Sequence, residues 1–487
     1  MNRLAGIVAV AAAGTMLELN RRLNVWEDEG YTLETTARPP LAAAAQAMRF
    51  EQYPPLYFLL LSAWRSVDRS PAFARAFSTL AALGTIRDAS RVVVSFAPRA
   101  DRAVVAAAIA FHPTVIWCGT EARAYASIVW ISARILQAYH DAYVTPVPSP
   151  FARARFIAWS LAGVYTHYYL GFLIAGGALS TIACPGRLGA FTIDAAAIAV
   201  GFFPLARAVR AQMATYGANF AVDMPPLRMV RNVAGTMTSF IMPSEGTQRW
   251  WRPLAASSLA ALVLVAFVDR RSRREAIRPA VMALGSAVLF GTTLQLAKTP
   301  PGLPQHATPL FVPTLVAVAA LLRTKARIRI GGAVVFAVSL HALRANLRRS
   351  AKIGDWKRVA QHVMIHECAN EPVVVFQPEA TLPLAHQYHG RNRLAGLPVD
   401  VAFDRYDLTR YALRDDEQID RALDRIGVLE RFWLVTTMTA KPLGNDLHPE
   451  VLDAWLERHA TLEGDAAFYG SRVRRFRRTP AAAAGAA

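Results

Sequence analysis

The sequence predicts an all-α polytopic membrane domain followed by a small α/β domain. A chain of 487 residues exceeds one hydrophobic core, so we expect at least two folding units or a membrane domain. Hydrophobic residues make up 54% of the chain and charged residues 18%, against about 25% charged in an average soluble domain, and the mean hydropathy is +0.24. The apolar residues form long blocks without a sustained heptad, which excludes an ordinary cytosolic enzyme, a disordered chain and a coiled coil.

The net charge is strongly positive, with 54 Lys and Arg against 35 Asp and Glu, or +19. In a membrane protein such an excess reflects the positive-inside bias and suits anionic lipid headgroups and phosphate ligands, so nucleic acid is not the predicted partner. The three cysteines, Cys118, Cys184 and Cys368, lack the spacing of metal ligands. The sequence therefore predicts neither a disulfide framework nor a zinc site.

About eleven apolar segments are long enough to cross a membrane, which takes about 20 residues, or fewer when the ends snorkel. The first segment follows Arg3 without a convincing cleavage site before Trp26, so we interpret it as a retained span. A shorter stretch, Pro54 to Val67, is predicted to lie in or dip into the interface. The predicted spans are Leu4 to Leu19, Pro71 to Phe96, Ala103 to Cys118, Tyr125 to Tyr143, Phe156 to His167, Tyr168 to Ala183, Phe191 to Val209, Leu254 to Val268, Pro279 to Ala297, Pro309 to Leu322 and Ile328 to Leu343.

The arginines set the predicted orientation. If the spans alternate, the basic clusters near Arg87, Arg153, Arg187, Arg270 and Arg323 fall on one side, which the positive-inside rule makes the cytoplasm. The N-terminus is then cytoplasmic, and an odd number of crossings places everything after Leu343 outside. The predicted units are a membrane domain over residues 1–345 with outer loops at 20–70 and 210–252, a periplasmic α/β domain over 346–480 and a disordered tail at 481–487.

The α/β character of the C-terminal domain follows from alternating short apolar runs and helical patterns. Val373 to Phe376 and Phe432 to Thr437 are typical of buried strands, whereas Thr381 to His389 and Pro449 to His459 are typical of helices. The chain has no internal sequence repeat of the kind that marks the paired halves of many transporters.

The first outer loop carries the run Trp-Glu-Asp-Glu-Gly-Tyr at residues 26–31, directly after the first span. Adjacent carboxylates at a membrane surface can act as a general base, because neighbouring charge and partial desolvation raise the pKa, or can coordinate a divalent ion. A solvated acidic loop that caps the following helix is the alternative interpretation of this motif by itself.

Three later motifs contain polar residues near the same face. Arg75 lies in an apolar segment, where an arginine costs about 2.5 to 3.5 kcal/mol unless it snorkels or meets an anion. Arg123 belongs to the run Glu-Ala-Arg-Ala-Tyr at residues 121–125; its planar fork suits a lipid-linked phosphate, and an interfacial Arg and Tyr belt is the alternative. His167, in Thr-His-Tyr, either positions a substrate or is a hydrogen-bonded interfacial residue.

The order of these motifs resembles that of a known family. Trp-x-Asp-Glu after the first span, Tyr-Pro-Pro-Leu-Tyr at 53–57, Arg75 in a Ser-rich span, Glu-Ala-Arg-x-Tyr and Thr-His-Tyr resemble the GT-C superfamily of membrane glycosyltransferases, in particular the relatives of dolichyl-phosphate-mannose protein mannosyltransferases and bacterial aminoarabinose transferase. The motifs cover roughly the first 170 residues. The resemblance implies transfer of a sugar from a polyprenyl-phosphate donor.

The resemblance also implies roles for individual residues. Asp28 matches the catalytic carboxylate, with Glu29 as its partner, and Arg75 and Arg123 match arginines that bind the donor phosphate. The chain departs from the family at Tyr53, where a His is usual, at residues 119–120, where Gly-Thr replaces Ser-Gln, and in the late outer loop, where Pro-Gln-His-Ala replaces an Arg-Tyr pair. Lys298 and His306 are the substitutes expected there for the donor phosphate, and Tyr57, Glu121, Tyr125, His167 and Tyr168 are expected to contact substrate.

The predicted function is therefore transfer of a sugar, with inversion, to an acceptor hydroxyl on a lipid, glycan or protein at the periplasmic face. The resemblance implies no definite cofactor. It does not decide whether a divalent cation takes part in the reaction, because relatives differ in whether such an ion assists. A multi-spanning transporter is one alternative, with Glu18 and Asp194 as coupling carboxylates. A glycan ligase or polymerase with a diphosphate-linked donor is another, and it needs no Asp28.

Overall fold

The structure is a computed structural model of a mostly helical chain with a small sheet near its C-terminus. It describes residues 3–220, 224–243, 257, 268, 270–297, 304–322, 324–437 and 446–479. The predicted span Leu254 to Val268, apart from residues 257 and 268, lies outside the described residues, as do Lys298 and the predicted disordered tail at 481–487.

Prolines and polar caps determine where several helices begin. Ser70 accepts a hydrogen bond from the amide of Phe73, and Pro71 takes the first helical position after it. Pro55 starts a helix in the same way. The helices before the sheet are α1 Arg3–Arg22, α2 Glu27–Thr35, α3 Pro40–Gln46, α4 Pro55–Arg65, α5 Pro71–Phe96, α6 Arg102–Ala110, α7 Pro113–Gly119, α8 Tyr125–Tyr139, α9 Ala152–Thr166, α10 Leu170–Ala183, α11 Leu188–Phe202, α12 Ala206–Phe220, α13 Pro226–Ser239, α14 Arg270–Leu296, α15 Phe311–Leu322 and α16 Lys325–Leu347.

Within the described residues, five helical segments are long and apolar enough to cross a membrane, or six if one bent pair counts as a span. They are Arg3–Arg22, Pro185–Thr215, Ala276–Leu296, Gln305–Leu322 and Lys325–Leu347. The chain is therefore a multi-pass membrane protein. The number of about eleven crossings stays a prediction.

The predicted span Ala103 to Cys118 is broken into two helices. α6 and α7 meet at an angle of 60°. Pro113 cannot continue α6, and His112 caps α7 by accepting a hydrogen bond from the amide of Thr114. The break lets α7 end close to α1 and α5.

Helices α1, α5 and α7 pack closely at one end of the bundle. Asn20 at the end of α1 donates to Thr79 at 3.0 Å, and Thr79 donates to the carbonyl oxygen of Gly119 at 2.9 Å. A Cβ at position 119 would collide with the sulfur of Met16 and lie 3.0 Å from the Cβ of Ala82, so Met16 would have to shift to admit any residue larger than glycine. This packing brings the turn after α7 next to the end of α1.

The C-terminal region forms the predicted α/β module. Its elements are α17 Trp356–His366, β1 Val373–Phe376, α18 Thr381–Ala385, β2 Leu394–Gly396, α19 Asp416–Ile426, β3 Arg431–Thr437, α20 Pro449–His459, β4 Ala460–Phe468 and β5 Ser471–Arg478. The strand order is β2-β1-β3-β5-β4; β1 is parallel to β2 and β3, and β5 is antiparallel to β3 and β4. An apolar cluster covers each face of the sheet.

The predictions for this region are largely confirmed. Both predicted strands form, and the helix predicted over Pro449 to His459 has those bounds. The helix predicted from Thr381 to His389 ends at Ala385. The arginines of β5 pair with acidic side chains, as Arg472 does with Asp465, so this strand presents a solvated charged face.

The α/β region packs against the ends of α1 and α3. Lys357 Nζ donates to the carbonyl oxygens of Arg21 and Arg22 at 3.1 and 2.9 Å, at the C-terminus of α1. Gln46, at the end of α3, donates to the carbonyl oxygen of Phe403. We call this end of the helical bundle the domain side.

Candidate functional site

The first turn of α2, on the domain side, carries three successive carboxylates, Glu27, Asp28 and Glu29. A helix N-terminus favours negative charge because of the helix dipole. Successive helical residues point about 100° apart, so the three side chains enter different surroundings. Glu29 is fully buried, whereas 39% of the Asp28 side chain is exposed. Of Asp28 and Glu29, Asp28 is therefore the carboxylate that a ligand can reach.

Arg75 of α5 uses its whole guanidinium group inside the protein. Nε and Nη2 donate to the two carboxylate oxygens of Glu29 at 2.7 and 2.6 Å. The remaining N–H groups donate to the carbonyl oxygens of Asn20, Leu23 and Asn24. All five donors of the fork are thus engaged, and Arg75 is 1% exposed.

These contacts differ from the roles that the sequence assigned to Glu29 and Arg75. A guanidinium group with all its donors engaged has none left for a donor phosphate, and a fully buried carboxylate does not reach a substrate. Burial opposes the ionisation of Glu29, but the charges of Arg75 and Lys352 lower its pKa to about 2. The pair holds α2 to α5.

A second ion pair adjoins the first. Lys352 Nζ contacts a carboxylate oxygen of Glu121, donates to the carbonyl oxygen of Thr120 at 3.0 Å and lies 3.5 Å from Glu29. Trp26 Nε1 donates to the other oxygen of Glu121 at 2.7 Å. Glu121, which the sequence placed at the substrate, is therefore engaged within the protein. Four side chains, each at most 1% exposed, form what we call the four-charge cluster: Glu29, Arg75, Glu121 and Lys352.

Asp28 faces Arg123 across the candidate site. Arg123 Nη2 lies 4.0 Å from the Asp28 carboxylate. Nη1 is anchored by hydrogen bonds to the Asp28 carbonyl oxygen, Thr32 Oγ1 and Glu51 at 3.2, 2.8 and 3.0 Å. The Tyr53 ring lies 5.0 Å from the guanidinium carbon, a cation–π geometry. One nitrogen of Arg123 thus fixes the group while another points to Asp28.

Two predicted histidines lie around this pair. His306 interacts electrostatically with Asp28 and Arg123, and His167 interacts with His306 and Arg123. The His167 ring also packs edge-on against Tyr53, with 5.2 Å between ring centroids. The structure therefore brings residues 28, 123, 167 and 306 together, although they are far apart in the sequence.

The predicted tyrosines divide into two groups. Tyr57 and Tyr125 are each 1% exposed, and the Tyr125 ring lies 6.0 Å from the guanidinium carbon of Arg123. The hydroxyl of Tyr125 has no hydrogen-bond partner within the part of the chain that the structure describes. The hydroxyl groups of Tyr57 and Tyr168 are likewise without a hydrogen-bond partner among the described residues. Tyr168 packs instead on Phe202.

Glu51 is a site residue that the sequence interpretation missed. It accepts hydrogen bonds from Arg123 and from Thr35 Oγ1 at 2.9 Å. Burial raises its pKa, although Arg123 opposes the shift. Its place just before the Tyr-Pro-Pro run was the available signal, since that run starts the helix beside α2.

Glu379 is a second missed residue, and it comes from the α/β region. Its carboxylate accepts hydrogen bonds from the hydroxyl groups of Tyr31 and Tyr406. Burial and the charge of Asp28 raise the pKa of Glu379 to about 7, and burial with the same neighbouring charge raises that of Glu27 to about 7. No local sequence signal marks Glu379, because only folding brings it to α2.

The described residues contain one group of metal-ligand side chains with ligand atoms within 4.8 Å of one another: Asp446, His448 and Glu450. All three are exposed and belong to the C-terminal region, before and in α20. Such surface groups are common without an ion, so they do not define a metal centre.

The arrangement of Asp28 and Arg123 has a definite chemical capacity. A partly exposed carboxylate can accept a proton from a hydroxyl group, and a guanidinium group in a partly dehydrated site stabilises an anion better than water does. The fold and this site define a multi-pass membrane protein with a charged site where its helical bundle meets a small α/β module.

The particular fold is identified by comparison with solved structures, since no protein-family model and no curated protein matches the sequence. The chain matches crystal structures of ArnT from Cupriavidus metallidurans bound to undecaprenyl phosphate (TM-score 0.58, 12% identity, 97% of each chain) and in the apo state (0.57, 12% identity, 96% of this chain and 97% of that one). A match to the arabinofuranosyltransferase AftD from Mycobacteria covers 98% of this chain and 41% of that one with 14% identity, at a TM-score of 0.42, too low to establish a shared fold. The chain has the fold of ArnT, as the sequence resemblance led us to expect.

Proposed function

We propose that this protein is an integral membrane glycosyltransferase that transfers a sugar from a polyprenyl-phosphate donor to an acceptor hydroxyl. The observation that carries the proposal is the 4.0 Å approach of Arg123 to the partly exposed Asp28 carboxylate. Support for the donor class comes from the shared fold with ArnT, whose structure holds undecaprenyl phosphate. The acceptor hydroxyl of the proposed reaction belongs to a lipid, a glycan or a protein.

In the proposed reaction Asp28 is the general base. It accepts the proton of the acceptor hydroxyl as that oxygen attacks the anomeric carbon, a role worth about 10² to 10⁴ in rate. The bond from the anomeric carbon to the phosphate oxygen breaks in the same step, so the configuration inverts. The polyprenyl phosphate leaves as a phosphate monoester. Arg123 stabilises the negative charge that develops on this leaving group, and His306 lies beside Arg123.

The remaining predicted residues take supporting roles in this proposal. Glu29 and Arg75 position Asp28 from inside the protein because both are buried and paired. Tyr125, with its unpaired hydroxyl, donates to a ligand oxygen. His167 holds Tyr53, which lies over Arg123.

We also propose the predicted membrane orientation. The N-terminus is cytoplasmic, and the membrane domain over residues 1–345 presents the domain side to the periplasm. The α/β domain over residues 346–480 then lies in the periplasm and covers the site. In support, Arg102 and Arg329 lie near the end of the bundle opposite the domain side, where Arg329 pairs with Asp101 at 3.0 Å.

The described contacts argue against the transporter alternative. Glu18 is 57% exposed on the side of α1 and pairs with Arg22 one turn away. Asp194 is bound by Arg153 through two hydrogen bonds of 2.8 Å and by the Tyr143 hydroxyl. A coupling carboxylate must be free to exchange a proton or an ion, and Asp194 is held in a structural pair.

The substitution Asp28→Asn tests the proposal. We expect sugar transfer to fall by about 100-fold or more, while binding of undecaprenyl phosphate to the purified protein in nanodiscs stays within about threefold of wild type. Mass spectrometry of envelope lipids and glycans from cells with and without the gene identifies the product to assay. Glu34→Gln, at an exposed position of the same helix, is the matched control.

Full transfer activity in Asp28→Asn would contradict the assigned base. It would favour the glycan ligase or polymerase, whose diphosphate-linked donor supplies a better leaving group and needs no Asp28. Failure of wild type to bind undecaprenyl phosphate at all would contradict the donor class.

A further inference from the structure

Two segments of the chain each carry one residue that faces the candidate site and a nearby residue that enters the four-charge cluster. In the first turn of α2, Asp28 faces the candidate site and Glu29 enters the four-charge cluster. In the turn between α7 and α8, Arg123 faces the site and Glu121 enters the cluster. The amide of Ala122 donates to Glu29 at 2.8 Å and joins the two segments directly. Whatever fixes the buried carboxylates therefore fixes the distance between Asp28 and Arg123.

The cluster contains two carboxyl groups and two basic side chains, and burial raises the pKa of Glu121 to about 7 although the charge of Lys352 opposes this shift. Arg75 has no spare donor for Glu121, because all five of its N–H groups are engaged by Glu29 and by carbonyl oxygens. Among the described residues, Lys352 is the cation that contacts Glu121. Without the ammonium group, Glu121 would lose the cation that opposes its raised pKa, and removing one partner of a buried ion pair is strongly unfavourable in a low-dielectric interior.

Lys352 belongs to the short segment that leads from the last described helix of the bundle, α16, into the α/β region. Gly354 follows in a left-handed conformation, with φ of +82°, so the chain turns sharply there. The amide of Lys357 then donates to Asn24 Oδ1 at 3.1 Å, between α1 and α2. The same few residues thus contact the four-charge cluster and begin the α/β region.

We propose that Lys352 is a positioning residue whose charge completes the four-charge cluster and thereby holds Asp28 and Arg123 at their working distance. The inference rests on the proposed function only in that Asp28 and Arg123 act on the donor and acceptor. It assigns the entry segment of the α/β region a part in building the site. The Lys352 side chain is 1% exposed and its ammonium group is engaged by Glu121 and by the carbonyl oxygen of Thr120, so its proposed role is to position the site residues.

The experiment compares Lys352→Met with the charge-balanced double variant Lys352→Met/Glu121→Gln. The first measurement needs no ligand: hydrogen exchange of the backbone amides of residues 28–35 and 120–125 in the full-length protein in nanodiscs. The second is binding of undecaprenyl phosphate. Lys325→Met is the matched control, because Lys325 is exposed at the opposite end of α16.

We expect Lys352→Met to speed exchange in both segments by about tenfold and to weaken undecaprenyl phosphate binding by about tenfold. The double variant should return both to within about threefold of wild type, because neutrality is restored. A role in simple packing would not give this recovery, since the double variant keeps the methionine. The control should match wild type in both measurements.

Unchanged exchange in Lys352→Met, or a double variant no better than the single one, would overturn the proposal. If Lys352→Met does not fold, the double variant decides: a folded double variant with normal exchange supports the role of the charge, and an unfolded one overturns it. If wild type does not bind undecaprenyl phosphate, the proposed function loses its donor class, while hydrogen exchange still decides the role of Lys352.

Discussion

Gly30 of α2 lies directly against Leu382 of α18, so closely that a Cβ on residue 30 would stand 2.7 Å from the Leu382 Cβ. The contact joins the helix that carries Asp28 to the α/β region. Real Cβ atoms do not approach so closely, so any larger residue at position 30 must push the two elements apart. The absence of a side chain at Gly30 therefore sets how deeply the α/β region docks.

Gly30→Ala should lower stability and activity together. Alanine favours a helix over glycine by about 1 kcal/mol, but overpacking at a closely packed site costs about 1 to 3 kcal/mol. We expect a lower melting temperature and at least a severalfold loss of sugar transfer, because α2 carries Asp28. Thermal unfolding in nanodiscs and the transfer assay check both effects.

Gly14→Ala is the control, since a Cβ at that position of α1 would meet nothing within 4 Å. It should be neutral or slightly stabilising, as helix propensity predicts. Equal behaviour of the two variants would show that α18 does not press on α2 in solution.

Arg75→Lys and Arg123→Lys should have different consequences, although each keeps its positive charge. At residue 75 a lysine offers three donors where five are used, so buried carbonyl groups lose their partners at about 1 to 3 kcal/mol each. We expect poor accumulation and a lowered melting temperature. At residue 123 we expect weaker binding of undecaprenyl phosphate, by about tenfold, with a smaller loss of stability.

Yield of monodisperse protein, thermal unfolding and undecaprenyl phosphate binding distinguish these outcomes. A well-folded Arg75→Lys protein with a specific loss of phosphate binding would restore Arg75 to the donor site, against the contacts described above.

Glu379→Gln should change the dependence of stability on pH. The pKa of Glu379 rises from 4.5 to about 7 on folding, through burial and the charge of Asp28. A carboxyl group with a raised pKa binds its proton more tightly in the folded protein, so its contribution to stability is complete below pH 4.5 and is lost as the pH rises through about 7. The wild-type melting temperature should therefore fall more between pH 5 and pH 8 than that of Glu379→Gln.

Glu457→Gln, at an exposed position of α20, should leave the wild-type pH profile in place. Parallel profiles for wild type and Glu379→Gln would mean that Glu379 is not buried against α2 in solution.

Asp194→Asn should cost stability without affecting the proposed reaction. Asp194 accepts hydrogen bonds from Arg153 and Tyr143, and loss of such charged hydrogen bonds costs about 1.5 to 3 kcal/mol. Thermal unfolding should show this loss, while undecaprenyl phosphate binding stays within about twofold. Loss of ion-coupled uptake into proteoliposomes in this variant would instead support the transporter.

The sequence was most informative where a chemical requirement is local. The Trp-Glu-Asp-Glu run, the Pro-Pro helix start and the Glu-Ala-Arg-x-Tyr run led, through the resemblance, to the prediction of Asp28 and Arg123 as site residues, and the structure places these two side chains 4.0 Å apart. Periodicity likewise identified the strands Val373 to Phe376 and Phe432 to Thr437. Periodicity did not distinguish the roles of adjacent carboxylates, because Asp28 and Glu29 are chemically alike and differ only in the direction in which their side chains point from the helix.

Burial separated those functions. Arg75 and Glu121 have the residue types of a phosphate and sugar site, yet both are enclosed, and the reason is visible only in their partners Glu29 and Lys352. Glu379 reaches the site from 348 residues beyond Tyr31, which accounts for its absence from any local motif.

The sequence by itself determined that the chain enters a membrane repeatedly, that an α/β module follows, and that acidic and basic residues meet at the ends of early helices. Hydropathy, the periodicity of apolar residues and helix-starting prolines are properties of short segments, so they can be recognised without knowledge of the fold. Only the tertiary structure decided which carboxylate is partly exposed, which arginine is fully paired inside the protein and which lysine completes the buried cluster, because each depends on distances between segments that the chain order leaves open.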